Sequence, residues 1–275
     1  MKARKIKRRP IVLFDMDGTL TPSRKPIKWN MVKTLVGLSE YADIGIVTGS
    51  GLNYLSEQCS TLWSEIGSVK TVHLHLLPCN GTQVYRYLDY KWRQTFTRDM
   101  RAEIGNETYT QLLAYILSAQ KKLLTMHNIS LPFTGNFVSY RQSLLNWCPI
   151  GRDAGADERA SFQEFDKDGG YRNRAKKKLE KKLNKENIKG IEIALGGQTS
   201  LDIFPMGWNK TFALQHFVGR DVWFVGDRCE EGGNDHAIYN AVAVKKEGKA
   251  YWTAGPQETI EIINQTIIPH LQRST

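Results

Sequence analysis

Three short runs of β-rich apolar residues constrain the fold of this chain more than any other feature. Ile11 to Phe14 precedes Asp15, Ile44 to Val47 precedes Thr48, and Val72 to Leu77 precedes Cys79. Runs this short and continuously apolar read as strands buried on both faces of a parallel sheet. Between them, Trp29 to Leu38 and Leu52 to Trp63 carry helical spacing, and strand-helix alternation of this kind builds an open α/β sheet. Ligands of such sheets gather at the carboxyl ends of the strands, so the polar residues after each run are where chemistry is expected.

From about Gln83 the pattern changes to hairpin-like pieces and a long helix, Glu107 to Leu124. Phe137 to Tyr140 and Leu144 to Trp147 then read as paired strands around a Gln142-Ser143 turn. After a basic helical stretch come Ile191 to Leu195 and Leu201 to Phe204 as further strands. Past Gly207 the α/β pattern returns, with Val222 to Val225, Gly226-Asp227 and Ala241 to Val244 as its pieces. The expectation is an α/β protein: a doubly wound, Rossmann-like parallel-sheet core from residues 1–84 and 197–275, with an inserted α+β cap at 85–196. Short hinges are expected near 82–86 and 196–208.

The longest apolar runs are far too short to span a bilayer, and only four apolar residues follow the basic opening before Asp15, too few for a signal peptide. Cys59, Cys79, Cys148 and Cys229 lack metal-like or redox-like spacing, as expected of reduced thiols in a cytoplasmic protein. The formal charge of +10 raises nucleic acid as a partner, but two runs account for it. Residues 1–10 and Arg172 to Lys189 together hold 15 Lys/Arg and 2 acids, leaving 23 basic and 26 acidic residues elsewhere, a net −3. In the second run Ala175, Leu179 and Leu183 recur every four residues, so it reads as an amphipathic helix with a solvated basic face rather than a nucleic-acid site.

The sharpest chemical signal is Asp15-Met16-Asp17-Gly18-Thr19-Leu20, directly after the first strand. Two carboxylates one residue apart at a strand end suit a hard divalent cation such as Mg²⁺. One carboxylate can attack a phosphoryl group to give an aspartyl phosphate, while the other protonates the leaving oxygen and later deprotonates the next acceptor. Thr48-Gly49-Ser50 ends the second strand with hydroxyls fit to bind a phosphoryl oxygen, although Thr-Gly-Ser is also an ordinary turn. Lys210 is a candidate for neutralising phosphate or holding Asp15 ionised. Gly226-Asp227 and the following Gly232-Gly233-Asn234-Asp235 offer a further metal carboxylate and a glycine-rich loop.

These four pieces stand in the order that the haloacid dehalogenase superfamily requires. The likeness extends to Arg24, to FVSYRQSLLNWCPIGR at 137–152, to GGQTSLDIFPMGWNK at 196–210 and to GDRCEEGGNDH at 226–236. Over nearly the whole chain from Ile11 to about Ile263, it resembles the eukaryotic type of phosphomannomutase. The resemblance implies Asp15 as nucleophile and Asp17 as general acid/base, with Asp15, the Asp17 carbonyl and Asp227 holding Mg²⁺. It implies Thr48 or Ser50 with Lys210 on the reacting phosphoryl group, Arg141 and Arg152 on the distal phosphate, Ser200 and Asp202 on sugar hydroxyls, and Arg24 near the gap between core and cap. It further implies a phosphorylated hexose as substrate, a hexose 1,6-bisphosphate as activator, a homodimer through the cap, and supply of mannose 1-phosphate for nucleotide-sugar synthesis.

Two positions depart from the family pattern. Thr134 stands where an arginine is usual, and Thr48 where glycine is common and related sugar phosphatases carry threonine. Both tilt toward a sugar-phosphate phosphatase on the same scaffold. A more distant rival is a nucleic-acid-binding protein with an idle site. His73 and His75 alternate in an apolar strand and face one side, and without a third ligand they read as a structural pair rather than a metal pair.

Overall fold

The computed structural model describes residues 8–65, 73–127, 130–244 and 249–274. Two compact units divide the chain, the first from Met1–Thr97 with Asn209–Thr275 and the second from Arg98–Trp208. In the first unit β1 (Ile11–Phe14), α1 (Trp29–Leu38), β2 (Asp43–Val47), α2 (Leu52–Glu65) and β3 (Leu74–Leu77) alternate as the apolar runs predict. The start of the third run, Val72, and most of the basic opening segment lie outside the described residues. β4 (Gln83–Leu88) and β5 (Lys91–Thr97) follow as a hairpin.

The second unit comprises α3 (Met100–Ile104), α4 (Asn106–Leu124), β6 (Val138–Tyr140), β7 (Leu145–Trp147), α5 (Ala156–Gly169), α6 (Tyr171–Lys185), β8 (Ile191–Gly196) and β9 (Ser200–Pro205). Its antiparallel sheet runs β6-β7-β9-β8. On α6 the four-residue spacing does what it predicts: Ala175, Leu179 and Leu183 are buried, while Arg174, Lys177, Lys178, Lys181 and Lys185 are exposed. The chain then returns to the first unit with a 3-10 segment Lys210–Phe217, β10 (Val222–Gly226), α7 (His236–Ala243), β11 (Lys249–Trp252) and a C-terminal helix. That helix runs from α8 (Pro256–Ile262) through a π-helical turn, Ile263–Ile267, into α9 (Ile268–Ser274).

The core sheet has seven strands in the order β11-β10-β1-β2-β3-β4-β5, parallel from β11 to β3 and antiparallel at the β4-β5 edge. Alternation along each strand supplies two apolar faces. Val12, Phe14, Ile44, Ile46, Trp223 and Val225 pack with α1, α2 and the C-terminal helix. Ile11, Leu13, Val47, Leu77 and Phe224 pack with Ala213, Phe217, Ile238 and Val242. The sheet is therefore covered on both sides, and each fully buried side chain of this kind contributes about 2 kcal/mol relative to exposure.

One expectation shifts. The cap boundaries set at 85 and 196 move to 98 and 208, because β4 hydrogen-bonds to β3 and takes its hairpin into the core sheet, while β9 pairs with both β7 and β8. Ala241 to Val244 closes α7 and its cap, since Ile238 and Val242 are buried one helical turn apart, and the further parallel strand is β11. No described helix is long and apolar enough to cross a membrane, and all four cysteines are buried free thiols.

At the start of β2, Asp43 ties several elements together. Its carboxylate meets Arg9 Nε at 3.0 Å, His73 Nδ1 at 2.9 Å, His75 Nε2 at 3.3 Å and Arg220 Nη2 at 2.7 Å. The histidine pair is thus structural, as its spacing predicts. Burial works against the ionised Asp43, but hydrogen bonds from His75 and Arg220 outweigh it and pull the carboxyl down to about 2. A folded-state value below the unfolded one means stability that is full above about pH 4 and is lost as pH falls toward 2. After discounting for the partly open side, this is worth about 1–2 kcal/mol. Asp43→Asn should lower the urea midpoint at pH 7 and flatten the acid limb between pH 4 and 2. An unchanged midpoint would contradict this role.

Candidate active site

The core strand order reverses at β1, which has β2 on one side and β10 on the other, and the crevice at the carboxyl ends of such a pair is where open α/β sheets bind ligands. Asp15 is the first residue past β1, and its N–H donates to Val225 O at 3.0 Å. The chain then turns on Gly18, whose φ is +87° and whose N–H donates to Thr21 O at 2.7 Å. A Cβ at Gly18 would lie 2.7 Å from Asp227 Cγ, so both the conformation and the neighbouring carboxylate demand glycine. Asp227 follows β10, and Asp235 closes the glycine-rich loop, its Oδ2 accepting from Arg228 N–H at 3.2 Å.

Lys210 begins the 3-10 segment and is 2% exposed, with its Nζ donating to Asp15 Oδ1 and Asp235 Oδ1. One carboxylate oxygen from each of Asp15, Asp227 and Asp235 lies within 4.8 Å of the others. Burial pushes the Asp15 carboxyl well above the usual range; Lys210 opposes this, while Asp235 and Asp227 reinforce it. Burial and then Asp235 push Asp227 to about 6, again against Lys210. For Lys210 burial disfavours the charge, but Asp15 and Asp235 outweigh it and raise its pKa. Three carboxylates around one lysine carry excess negative charge in a low-dielectric place, and the strained ionisation of Asp15 and Asp227 is its symptom. An all-oxygen donor set with that excess fits a hard divalent cation.

Asp17 faces a different environment. Its Oδ1 accepts from the Arg24 backbone N–H at 2.9 Å and from Tyr54 Oη–H at 2.9 Å. Burial, then the Asp17 charge, pushes the Tyr54 phenol up, so it acts as a neutral donor. Arg24 contributes its main chain here, at φ +60°, and its side chain is exposed. Thr48 and Ser50 lie at the end of β2, the strand beside β1. Thr48 Oγ1 accepts from Ser50 N–H at 3.1 Å, and the Thr48 carbonyl accepts from Asn80 N–H at 2.8 Å.

In the second unit, Arg152 Nη1 donates to Asn146 Oδ1 at 2.7 Å, and Asn146 Nδ2 donates to Asp202 Oδ1 at 2.6 Å, across the pairing of β7 with β9. Arg152 and Asp202 therefore belong to one hydrogen-bonded chain. Ser200 lies two residues along β9 and donates to Gly196 O at 2.9 Å. Arg141 sits at the turn after β6, its N–H donating to Leu144 O at 2.9 Å. Thr134 spends both its N–H and its hydroxyl on Ile150 O, at 2.9 and 3.1 Å.

Sequence reasoning missed Asp235, Tyr54, Asn146 and Arg159 as members of these groups. Asp235 stood within the glycine-rich loop already singled out, and its position eight residues after Asp227 was the available signal. Asn146 faces Asp202 through strand register alone, and Arg159 reaches Thr199 Oγ1 at 2.8 Å and Arg152 O at 3.1 Å from a helix. No local pattern marks such contacts.

Strand order, strand-end carboxylates, a buried lysine and an inserted second unit define the haloacid dehalogenase class of fold. Solved structures share it. An IMP-bound, N-terminally truncated IMP-nucleotidase from Plasmodium falciparum aligns with a TM-score of 0.65 and 15% identity, over 94% of this chain and 68% of that one. A trehalose-6-phosphate phosphatase from Aspergillus fumigatus aligns with a TM-score of 0.53 and 17% identity, over 97% and 94%. At these identities the likeness is one of fold. The eukaryotic phosphomannomutase family model matches residues 31–269. The phosphomannomutase of Schizosaccharomyces pombe is 35% identical over 233 residues, covering 83% of this chain and 84% of its own. That of Saccharomyces cerevisiae is 32% identical over 267 residues, covering 96% of each. The chain belongs to the eukaryotic phosphomannomutase family.

Proposed function

We infer that this protein is a phosphomannomutase that interconverts mannose 6-phosphate and mannose 1-phosphate through a phosphoryl group carried on Asp15. The observation that carries the reading is the pairing of Asp15 with buried Lys210 inside a strand-end carboxylate cluster, in a chain of this family. An Asp15 oxygen attacks phosphorus, the ester bond to the sugar breaks, and the electron pair leaves with the sugar oxygen, which takes a proton from Asp17. In the return half a sugar hydroxyl gives its proton to Asp17 and attacks the same phosphorus, releasing the Asp15 carboxylate. Lys210 holds Asp15 in place and offsets charge as it moves from carboxylate to phosphoryl oxygens. Asp15, Asp227 and the Asp17 carbonyl would hold Mg²⁺, with Asp235 beside them, and the bound ion would offset the charge of the phosphoryl group.

Thr48 and Ser50 are assigned to the reacting phosphoryl group. Arg141 and Arg152 are assigned to the distal phosphate, since the guanidinium fork suits its oxygens, and Ser200 and Asp202 to sugar hydroxyls. A hexose 1,6-bisphosphate would prime Asp15. A second reading, a sugar-phosphate phosphatase on the same site, is favoured by Thr134, whose neutral hydroxyl is committed to the backbone at a position where the family resemblance implies an arginine.

Mannose 1-phosphate with Mg²⁺, assayed with and without a hexose 1,6-bisphosphate, separates the two. Bisphosphate-dependent mannose 6-phosphate supports the mutase, whereas release of inorganic phosphate alone supports the phosphatase.

A further inference from the structure

Both donors to Asp17 converge on one oxygen. Arg24 N–H and Tyr54 Oη–H each reach Oδ1 at 2.9 Å. A carboxylate oxygen offers about two lone-pair directions, so Oδ1 is filled and Oδ2 is the oxygen left for a substrate. The two donors also sit on firm ground. Tyr54 is the third residue of α2, its ring packs against the main core cluster, and α2 is anchored there by Leu55, Cys59 and Leu62. Arg24 holds a left-handed backbone, φ +60°, uncommon for a side chain of its size, and that conformation carries the N–H aimed at Asp17.

We propose that Tyr54 is a positioning residue for the acid/base step: together with the Arg24 N–H it locks the Asp17 carboxylate so that Oδ2 alone exchanges the proton with the sugar oxygen. The inference rests on the assignment of Asp17 under the proposed function and adds to it the residue that sets its geometry. As the P–O bond to the sugar breaks, the proton on Oδ2 moves to the departing oxygen, and the charge left on Asp17 is shared through the two hydrogen bonds on Oδ1. As the acceptor hydroxyl attacks, its proton returns to Oδ2. No further reactant enters, and the proton count closes over the two halves. A wandering carboxylate would present its proton in the right direction only part of the time, which lowers the rate of the step that needs the proton and leaves sugar binding alone.

Tyr54→Phe tests this, since it keeps the ring in the core and removes only the hydroxyl. Two esters are compared in Mg²⁺: mannose 1-phosphate with its bisphosphate activator, whose leaving alkoxide must be protonated, and 4-nitrophenyl phosphate, whose phenolate leaves with little help. The variant should lose about ten- to a hundredfold in kcat on the sugar phosphate with KM unchanged, the size expected for a charged hydrogen bond serving general acid catalysis. The loss on 4-nitrophenyl phosphate should be smaller by at least about fivefold, since the acid's contribution is smaller there. In an Asp17→Asn background, the further effect of Tyr54→Phe should vanish. Equal losses on both esters, no loss on either, or an undiminished effect in the Asp17→Asn background would overturn the role of Tyr54. A wild-type protein inert toward both esters would instead overturn the phosphoryl-transfer reading, and this inference with it.

Discussion

Asp15→Asn is expected to leave no measurable phosphoryl transfer while the protein stays folded. The amide is isosteric with the carboxylate but is a poor nucleophile, and removing a nucleophile that forms the covalent intermediate costs on the order of 10⁴-fold or more. Stability should hold or rise. Asp15 is 4% exposed and burial pushes its carboxyl well above the usual range, so a neutral group there relieves the crowding of Asp227 and Asp235. Turnover of mannose 1-phosphate and a chemical unfolding curve on the same preparation check both halves. Retained turnover within tenfold of wild type would remove Asp15 from the chemistry.

The second large effect is Lys210→Met, which is expected to damage both activity and stability. The lysine is 2% exposed, and its Nζ is bound by Asp15 and Asp235. Taking away one partner of a buried charge group costs about 3–5 kcal/mol, because the remaining charges are left uncompensated. Here three carboxylates would remain. They escape by taking up protons, so the loss should depend on pH. Asp227 already stands at about 6 with the lysine present. A carboxyl raised in the folded state binds more protons folded than unfolded, so stability falls as pH rises from about 4 through that value. The variant should therefore be nearest to wild type at about pH 4–5 and furthest from it at pH 7 and above. The rate should fall by at least a hundredfold, the loss typical of one charged stabiliser of a transferring group. Denaturant midpoints across that pH range test the stability claim, and a pH-independent deficit would count against it.

Much of the core was legible because buried parallel strands and amphipathic helices leave strong periodic signals. Ile11–Phe14 and Trp29–Leu38 fall where their apolar patterns put them, and the Gln142-Ser143 turn joins β6 to β7. The Asp15-x-Asp17-Gly18 motif was visible for the same reason: a strand end followed by Asp-x-Asp-Gly is a local pattern, and the Gly18 approach to Asp227 accounts for its glycine. What was hidden is non-local. The β4-β5 hairpin resembles a change of domain in sequence, and only its pairing with β3 assigns it to the core sheet. Ala241–Val244 carries no period long enough to separate strand from helix, and burial of Ile238 and Val242 decides it. Asp235 and Tyr54 act on Lys210 and Asp17 from 25 and 37 residues away, and a sequence shows neither separation.

Whether the phosphoryl group rides on Asp15 is tested by trapping it there. Wild-type protein is mixed with Mg²⁺ and a hexose 1,6-bisphosphate labelled in phosphorus, quenched, reduced with borohydride to convert any aspartyl phosphate to homoserine, and mapped by peptide mass spectrometry. Homoserine is expected at position 15, lost when mannose 6-phosphate is added before the quench, with the label recovered in sugar bisphosphate. Turnover with position 15 unmodified, or label on another residue, would contradict that expectation.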